Sequence, residues 1–181
     1  MKEGVMPNTY LWRIRRAATI SSAVLSSVVW SSGPAHAVDY VKLVSLESGK
    51  CLNVEGASYH DGARVIQWDC ADTPNSHWRF EPVPGHPDYF RIHAGNSDKC
   101  LNVEGGSIVN GARLIQWPCT GNNNENWRAV DYEGYKFKLQ AEHSGRCLNV
   151  EGASHANGAQ VIQWDCVNTK NNRWWQKSWA P

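Results

Sequence analysis

Short segments of alternating apolar and polar residues recur three times along the chain. In the first segment, Val41 and Leu43 flank Lys42. The two later segments repeat the arrangement around another basic residue, as Phe90-Arg91-Ile92 and as Phe137-Lys138-Leu139. A period of two is typical of a strand with one buried face. The pattern therefore predicts one half-buried strand in each segment, and no part of the chain carries a convincing helical period.

A longer motif follows each of these segments and runs between two cysteines. Its three ungapped copies are CLNVEGASYHDGARVIQWDC at 51–70, CLNVEGGSIVNGARLIQWPC at 100–119 and CLNVEGASHANGAQVIQWDC at 147–166. A closing tryptophan lies eight residues after each copy, at Trp78, Trp127 and Trp174. Such self-similarity indicates one structural unit that is used three times.

Each copy predicts further short strands. The second strands are 51–54, 100–103 and 147–150, and the third strands are 64–68, 113–117 and 160–164. Tight turns between them are expected at Asp61-Gly62, Asn110-Gly111 and Asn157-Gly158, as turn chemistry only. A fourth strand begins at each closing tryptophan. About twelve strands result, and because four strands cannot bury their own apolar face, the three units must share one core.

The first 37 residues are typical of an export signal. Arg13, Arg15 and Arg16 precede an apolar run, and Ala35-His36-Ala37 is a small-x-small cleavage signal. Six serines make the run too polar for a membrane-spanning helix. We therefore expect a cleavable signal peptide over 1–37, of the kind used in bacterial export, and a secreted, extracellular protein that does not insert into membranes.

The charge of the mature chain argues against nucleic acid as a partner. Removing residues 1–37 takes away four of the 18 basic residues and one of the 17 acidic residues, which leaves 14 and 16. A net charge of −2 provides no basic field for phosphate groups.

All six cysteines lie in the mature chain, two in each copy of the motif. An even count in an exported protein implies disulfides, formally with fifteen connectivities. Repeat symmetry selects Cys51 to Cys70, Cys100 to Cys119 and Cys147 to Cys166. Each bond would stabilise the fold by about 3 kcal/mol. The clustered ligand spacings of a zinc site are absent, so no metal and no cofactor are expected.

The Cys-Leu-Asn-Val start, the Gln-Trp-x-Cys end and the Asn-rich loop before the closing tryptophan resemble the ricin-type lectin repeat. This resemblance implies an all-β fold, a β-trefoil over residues 38–181, with pseudo-symmetric repeats at about 38–85, 86–133 and 134–181. It also implies one disulfide per repeat and a shallow sugar pocket on each lobe. The family's closing tryptophan packs in the core, so we expect the same of Trp78, Trp127 and Trp174.

The resemblance also places the carbohydrate-binding residues. The family's hydrogen-bonding carboxylate falls on Asn53, Asn102 and Asn149. Its stacking aromatic residue falls on Trp68, Trp117 and Trp164, where an indole suits the C–H face of a pyranose. Its polar Asn falls on Asn75, Asn124 and Asn171. Two other roles stay open: the tryptophans could cover the disulfides, and the first asparagines could shape turns through backbone bonds.

Two departures from the family recur in every lobe. An Asn replaces the carboxylate, and Ile66, Ile115 and Ile162 stand where many galactose binders have Gln. We hypothesise that Glu55, Glu104 and Glu151, two residues past each Asn, supply the missing carboxylate; if the chain is extended there, they lie on the same strand face as the Asn. The second lobe carries Glu125 beside its polar Asn, which predicts a different pocket charge. The histidines occupy mostly non-equivalent positions and are expected at the surface.

Together these features predict a secreted, lectin-like protein that reversibly binds glycans or polysaccharides through up to three related sites. Glycosidase activity would need two carboxylates in one cleft, and here the carboxylates recur once per lobe, so no enzyme is expected. The alternative is a trefoil that binds proteins, as a protease inhibitor or as a targeting subunit of a toxin or enzyme.

Overall fold

A computed structural model describes residues 39–178 of the chain. The predicted signal peptide, residues 1–37, lies outside this part, and so does Trp179. Residues 39–178 contain no helix with the length and apolar character that a bilayer crossing requires.

Twelve short strands make up the described chain, as the repeats predict. They are β1 (Val41–Ser45), β2 (Cys51–Val54), β3 (Val65–Trp68), β4 (Trp78–Val83), β5 (His86–Ala94), β6 (Cys100–Val103), β7 (Leu114–Trp117), β8 (Asn126–Glu133), β9 (Lys136–Ala141), β10 (Cys147–Val150), β11 (Val161–Trp164) and β12 (Trp174–Ser178). The third strand of each repeat begins one residue later than predicted, since the preceding residue makes only an isolated bridge to a neighbouring repeat.

Two kinds of short 3₁₀ turn link these strands. One kind follows the second strand of each repeat, at Glu55–Ala57, Glu104–Gly106 and Glu151–Ala153. The other precedes the fourth strand, at Pro74–Ser76, Asn123–Glu125 and Lys170–Asn172.

Six strands form a closed antiparallel ring in the order β1, β4, β5, β8, β9, β12 and back to β1. The other six form three hairpins, β2–β3, β6–β7 and β10–β11. Isolated bridges link the hairpins to one another around a pseudo-threefold axis. This arrangement is a β-trefoil, with first, second and third lobes over residues 39–85, 86–133 and 134–178.

The core is built from equivalent residues of the three lobes. Its largest members are the closing tryptophans, which are fully buried: Trp78, Trp127 and Trp174. Each indole Nε1 donates a hydrogen bond of 2.9 to 3.1 Å to the carbonyl of the leucine in its own lobe's second strand. The prediction that these tryptophans pack in the core is confirmed, and their polar atoms are satisfied inside it.

One disulfide closes each hairpin region, with the pairing that the repeat symmetry selects: Cys51–Cys70, Cys100–Cys119 and Cys147–Cys166.

The expectation that the histidines lie at the surface is wrong for two of them. His77 and His93 are buried, and each contacts a carboxylate, at Asp72 and Glu81 respectively.

Candidate functional site

A hydrogen-bonded pair of asparagines lies at the same place in every lobe. In the first lobe, Nδ2 of Asn75 donates to Oδ1 of Asn53 and to the carbonyl of Val54, both at 2.9 Å. The pairs Asn124 to Asn102 and Asn171 to Asn149 repeat these bonds at 2.8 to 3.0 Å. Both N–H donors of Asn75 are therefore occupied within the lobe, and Asn53 and Asn75 are both buried.

The predicted stacking residues are exposed, in contrast to the closing tryptophans. Trp68 is 45% exposed, and Trp117 and Trp164 are each 41% exposed. Each ends the third strand of its lobe, opposite the first cysteine of the motif. A large aromatic face open to solvent is available to an apolar surface of a ligand.

Each exposed tryptophan also borders the glycine turn of the preceding lobe. A β-carbon on Gly62 would lie 3.8 Å from Cζ3 of Trp117. The other two contacts are equivalent: Gly111 with Trp164, and Gly158 with Trp68. These glycines have φ angles of 78° to 86°, which glycine adopts readily and side-chain-bearing residues disfavour. Two lobes therefore build the edge of every site.

The glutamine that precedes each exposed tryptophan points inward and joins the same two lobes. Gln116 is fully buried, and its Nε2 donates to the carbonyls of Ser58 and His60 at 2.8 and 2.9 Å. Its Oε1 accepts a bond from Ser97 Oγ at 2.7 Å. Gln67 and Gln163 make the equivalent bonds. This glutamine fixes the strand that presents the tryptophan.

In the second lobe the three predicted site residues line one open cavity of about 670 Å³. These residues are Asn102, Trp117 and Asn124. The wall is completed by Glu104, Thr120 and other residues of the second lobe, by Gly62 of the first lobe and by His143 of the third. Its volume lies in the range of small-molecule sites.

Gly62 and His143 were not predicted, since they belong to neighbouring lobes. The recurring Asp-Gly or Asn-Gly turn was a signal for Gly62. The position of His143 carries Glu47 and Asn96 in the other lobes, so comparison of the repeats gave no signal for it.

The glutamates do not lie on an extended strand, so the condition for placing them on the same face as the asparagines is not met. The strand β2 ends at Val54, and Glu55 starts a 3₁₀ turn in which Gly56 has a φ of 60°. Both carboxylate oxygens of Glu55 accept bonds from Arg64, one of them from Nε at 2.7 Å. This guanidinium lowers the pKa of Glu55.

The ion pair weakens from lobe to lobe. In the second lobe only Nε of Arg113 bonds to Glu104, at 2.9 Å from Oε2. In the third lobe, within residues 39–178, Glu151 forms no ion pair, because Gln160 replaces the arginine.

The expectation that Glu125 gives the second pocket a different charge is also wrong. Its side chain is fully buried behind the loop, where it accepts bonds from the backbone N–H groups of Thr120 and Gly121 at 3.0 and 2.5 Å. Arg91 Nε lies 3.3 Å from the same carboxylate. Glu125 therefore holds the loop in place and does not face the cavity.

The Asn-Gly dipeptides do more than form turns. Asn157 Nδ2 donates to Asp69 Oδ2 at 2.7 Å, and the Asp69 N–H donates to Asn157 Oδ1 at 3.0 Å, which links the third lobe to the first. Lys50 forms an ion pair with the same carboxylate. Bonds from Lys50 and then Asn157 lower the pKa of Asp69. Asn110 and Asp165 form the equivalent link between the second and third lobes.

One group of possible metal ligands occurs in the described part, at His93, Cys100 and Cys119. The two sulfurs are joined in a disulfide, so they are not the thiolates that bind zinc.

The architecture and the repeated sites define a β-trefoil of the lectin type. The family model described as ricin-type beta-trefoil lectin domain-like matches residues 26–117, 74–164 and 123–179. The chain belongs to this family. No curated protein sequence matches it.

Solved structures share the fold. The designed threefold-symmetric protein ThreeFoil is 42% identical, with a TM-score of 0.73 over 76% of this chain and 96% of that protein. The exo-β-1,3-galactanase 1,3Gal43A from Clostridium thermocellum is 27% identical, with a TM-score of 0.75 over 79% of this chain; the match spans only 31% of the enzyme. The C-terminal half of an earthworm R-type lectin, solved with GalNAc, is 17% identical, with a TM-score of 0.62 over 77% of this chain and 98% of that structure.

Proposed function

We propose that the protein binds carbohydrate through one shallow site on each lobe. The observation that carries this proposal is the cavity of the second lobe, which is lined by the exposed indole of Trp117 and by the pair Asn102 and Asn124. An indole face suits the C–H face of a pyranose, while amide groups at the rim meet its hydroxyls. The indole accounts for affinity and the amides for orientation.

The first and third lobes support the same proposal, because they repeat the asparagine pair and the exposed tryptophan. Shallow sites bind single sugars weakly. Three sites on one molecule can raise the avidity for a repeating polysaccharide about 100-fold or more. Polysaccharides and clustered glycans are therefore the proposed partners.

The likeness to a module of a β-1,3-galactanase puts galactose-containing polysaccharides among the ligands to test, although Ile66, Ile115 and Ile162 depart from the pattern of many galactose binders. The match spans 31% of that enzyme, and its activity is not carried over. We propose that this chain acts by reversible binding, without catalysis. We also infer that it is secreted, and the leader sequence and the three disulfides support export into an oxidising compartment.

The test is a glycan and polysaccharide array probed with the disulfide-bonded protein. We expect binding by the parent and its loss in a triple variant, Trp68→Ala with Trp117→Ala and Trp164→Ala. Tyr135→Ala is the matched control, since Tyr135 is also an exposed aromatic residue, at 54%, but lies in the β8–β9 connection. Binding that survives in a folded triple variant would place the sites elsewhere, and a folded parent that binds no glycan would refute the proposal.

A further inference from the structure

The lobes differ at the residue that precedes the third strand. This residue is Arg64 in the first lobe, Arg113 in the second and Gln160 in the third. Each forms an isolated bridge to an isoleucine of a neighbouring lobe. The bridges arrange the three residues around the pseudo-threefold axis, where the hairpins meet.

Only Gln160 turns toward the axis. It is 9% exposed, and its Nε2 donates to the carbonyls of Val65 and Val161 at 2.9 Å and contacts that of Leu114 at 3.5 Å. These carbonyls come one from each lobe, so a single neutral amide closes the centre of the trefoil. The side chains of Arg64 and Arg113 point outward and are 44% and 55% exposed.

This asymmetry changes the carboxylate of each lobe. Arg64 occupies both oxygens of Glu55, and Arg113 occupies one oxygen of Glu104. Gln160 has no charge, and its Nε2 is engaged at the axis. Both oxygens of Glu151 are therefore free of side-chain donors among residues 39–178.

Glu151 occupies the same place in its lobe as Glu104 does in the second lobe. Both begin a 3₁₀ turn, with nearly identical backbone at the following glycine: φ and ψ are 63° and 11° at Gly105 and 61° and 16° at Gly152. Glu104 lines the second cavity together with the asparagine pair. By the repeat, Glu151 borders the third site beside Asn149 and Asn171.

We propose that the third lobe is the strongest of three unequal sugar sites, since Glu151 accepts hydrogen bonds from two adjacent hydroxyls of a neutral pyranose. The proposal rests on sugar binding at the lobes, as proposed above. A carboxylate forms hydrogen bonds roughly twice as strong as a neutral acceptor does. A sugar at the first site must compete with Arg64 for the same oxygens. Affinity for the sugar therefore falls from the third lobe to the second and then to the first. Arginine binds neither carboxylate oxygen in the third lobe, one in the second and both in the first.

Lys170 is the other charged residue that distinguishes the third site. It precedes Asn171, at the position of Pro74 and Asn123 in the other lobes, and is exposed. An ammonium group at the rim would favour an acidic sugar, whereas Glu151 would disfavour one. Replacing Lys170 therefore shows whether the third site binds through this ammonium group or through the carboxylate of Glu151.

The experiment uses three single-site variants, each with the exposed tryptophan of the other two lobes changed to Ala. Methyl glycosides of galactose, glucose, mannose, xylose and N-acetylgalactosamine are titrated into each variant by calorimetry, with glucuronic acid as the acidic probe. We expect the third-lobe variant to bind a neutral glycoside about tenfold more tightly than the first-lobe variant. Glu151→Gln should remove this advantage. Glu55→Gln in the first-lobe variant should change its Kd less than about twofold, because Arg64 already occupies that carboxylate.

Two further variants make the interpretation sharper. Arg64→Gln in the first-lobe variant frees Glu55 and should tighten binding severalfold, while Lys170→Gln in the third-lobe variant should leave the Kd for a neutral glycoside unchanged. Equal affinities in the three single-site variants, with no effect of Glu151→Gln, would overturn this inference and leave sugar binding intact. Tight binding of glucuronic acid that depends on Lys170 would also overturn it. A parent that binds neither these glycosides nor any polysaccharide would refute the proposed function itself.

Discussion

Two recurring tryptophans of each repeat lie ten residues apart in sequence, one in the core and the other at the surface. Trp127 is fully buried, with its Nε1 bonded to the carbonyl of Leu101, while Trp117 is 41% exposed and faces a cavity. Both recur in all three lobes. Recurrence therefore indicates that a position matters to the unit, and only burial shows whether it serves the core or the surface.

The largest expected effect is a difference in protein stability between alanine variants of these two tryptophans. Trp127→Ala removes a core indole and should lower the free energy of unfolding by about 3 to 5 kcal/mol. Trp117→Ala leaves no cavity and should lower it by less than about 1 kcal/mol. Urea unfolding followed by far-ultraviolet circular dichroism measures both. Similar losses for the two variants would show that Trp117 is a structural residue.

The next largest expected effect is the loss of stability when Gln116, on the inward side of the third strand, is replaced. Gln116→Ala leaves the buried carbonyls of Ser58 and His60 without their donor, and should cost about 1 to 3 kcal/mol. Gln116→Glu is the matched control, since it preserves size but loses the N–H donors and should be destabilised at least as much at pH 7. A stable Gln116→Glu protein would mean that this link between lobes contributes little.

The repeats made the fold predictable, because three copies of one pattern indicate the strands and the disulfide pairing together, while the family resemblance indicated which tryptophans are buried. The repeats show where the sequence departs from symmetry, but not what a departure does in the structure. In sequence, Gln160 is a single substitution at the position of Arg64. Only the structure shows that its amide contacts a carbonyl from each of the three lobes at the pseudo-threefold axis. Glu55 does not share the strand face of Asn53, because a 3₁₀ turn starts directly after Val54. The alternation of faces with a period of two holds only while the chain stays extended.

Replacing Trp117, on the outward side of the third strand, should weaken binding without a matching loss of stability. In a protein whose second lobe is the only intact site, Trp117→Ala should weaken sugar binding by about 1 to 2 kcal/mol through loss of the stacking surface. Trp117→Phe retains a smaller aromatic face and should recover part of the loss. Calorimetric titration with methyl galactoside, beside an unfolding curve for each variant, tests this. A loss of binding that follows a loss of stability would contradict a direct role.

Gly62 extends this comparison to the turn of the neighbouring lobe. Its φ is 78°, and a β-carbon would lie 3.8 Å from the indole of Trp117. Gly62→Ala therefore strains the backbone and should cost about 1 kcal/mol of stability. Gly85→Ala is the matched control, since Gly85 has a φ of 81° with nothing within 4 Å of a β-carbon. The same loss of stability is expected in both. Weaker binding at the second site is expected only in Gly62→Ala, because Gly62 lines that cavity and the added methyl group would take up part of it.

The smallest effect belongs to the exposed link between the first and third lobes. The folded pKa of Asp69 lies below its ordinary value because Lys50 and Asn157 bond to the carboxylate, so this group contributes stability above the unfolded pKa of about 3.9. That contribution is lost as the pH falls below about 4 and through the folded pKa. The parent should therefore exceed Asp69→Asn in stability at pH 7, and the difference should shrink as the medium is acidified and as salt screens the ion pair. Unfolding curves at pH 7 and pH 3 measure it. A difference that stayed constant between these pH values would show that hydrogen bonding to Asn157, and not the charge of Asp69, joins the two lobes.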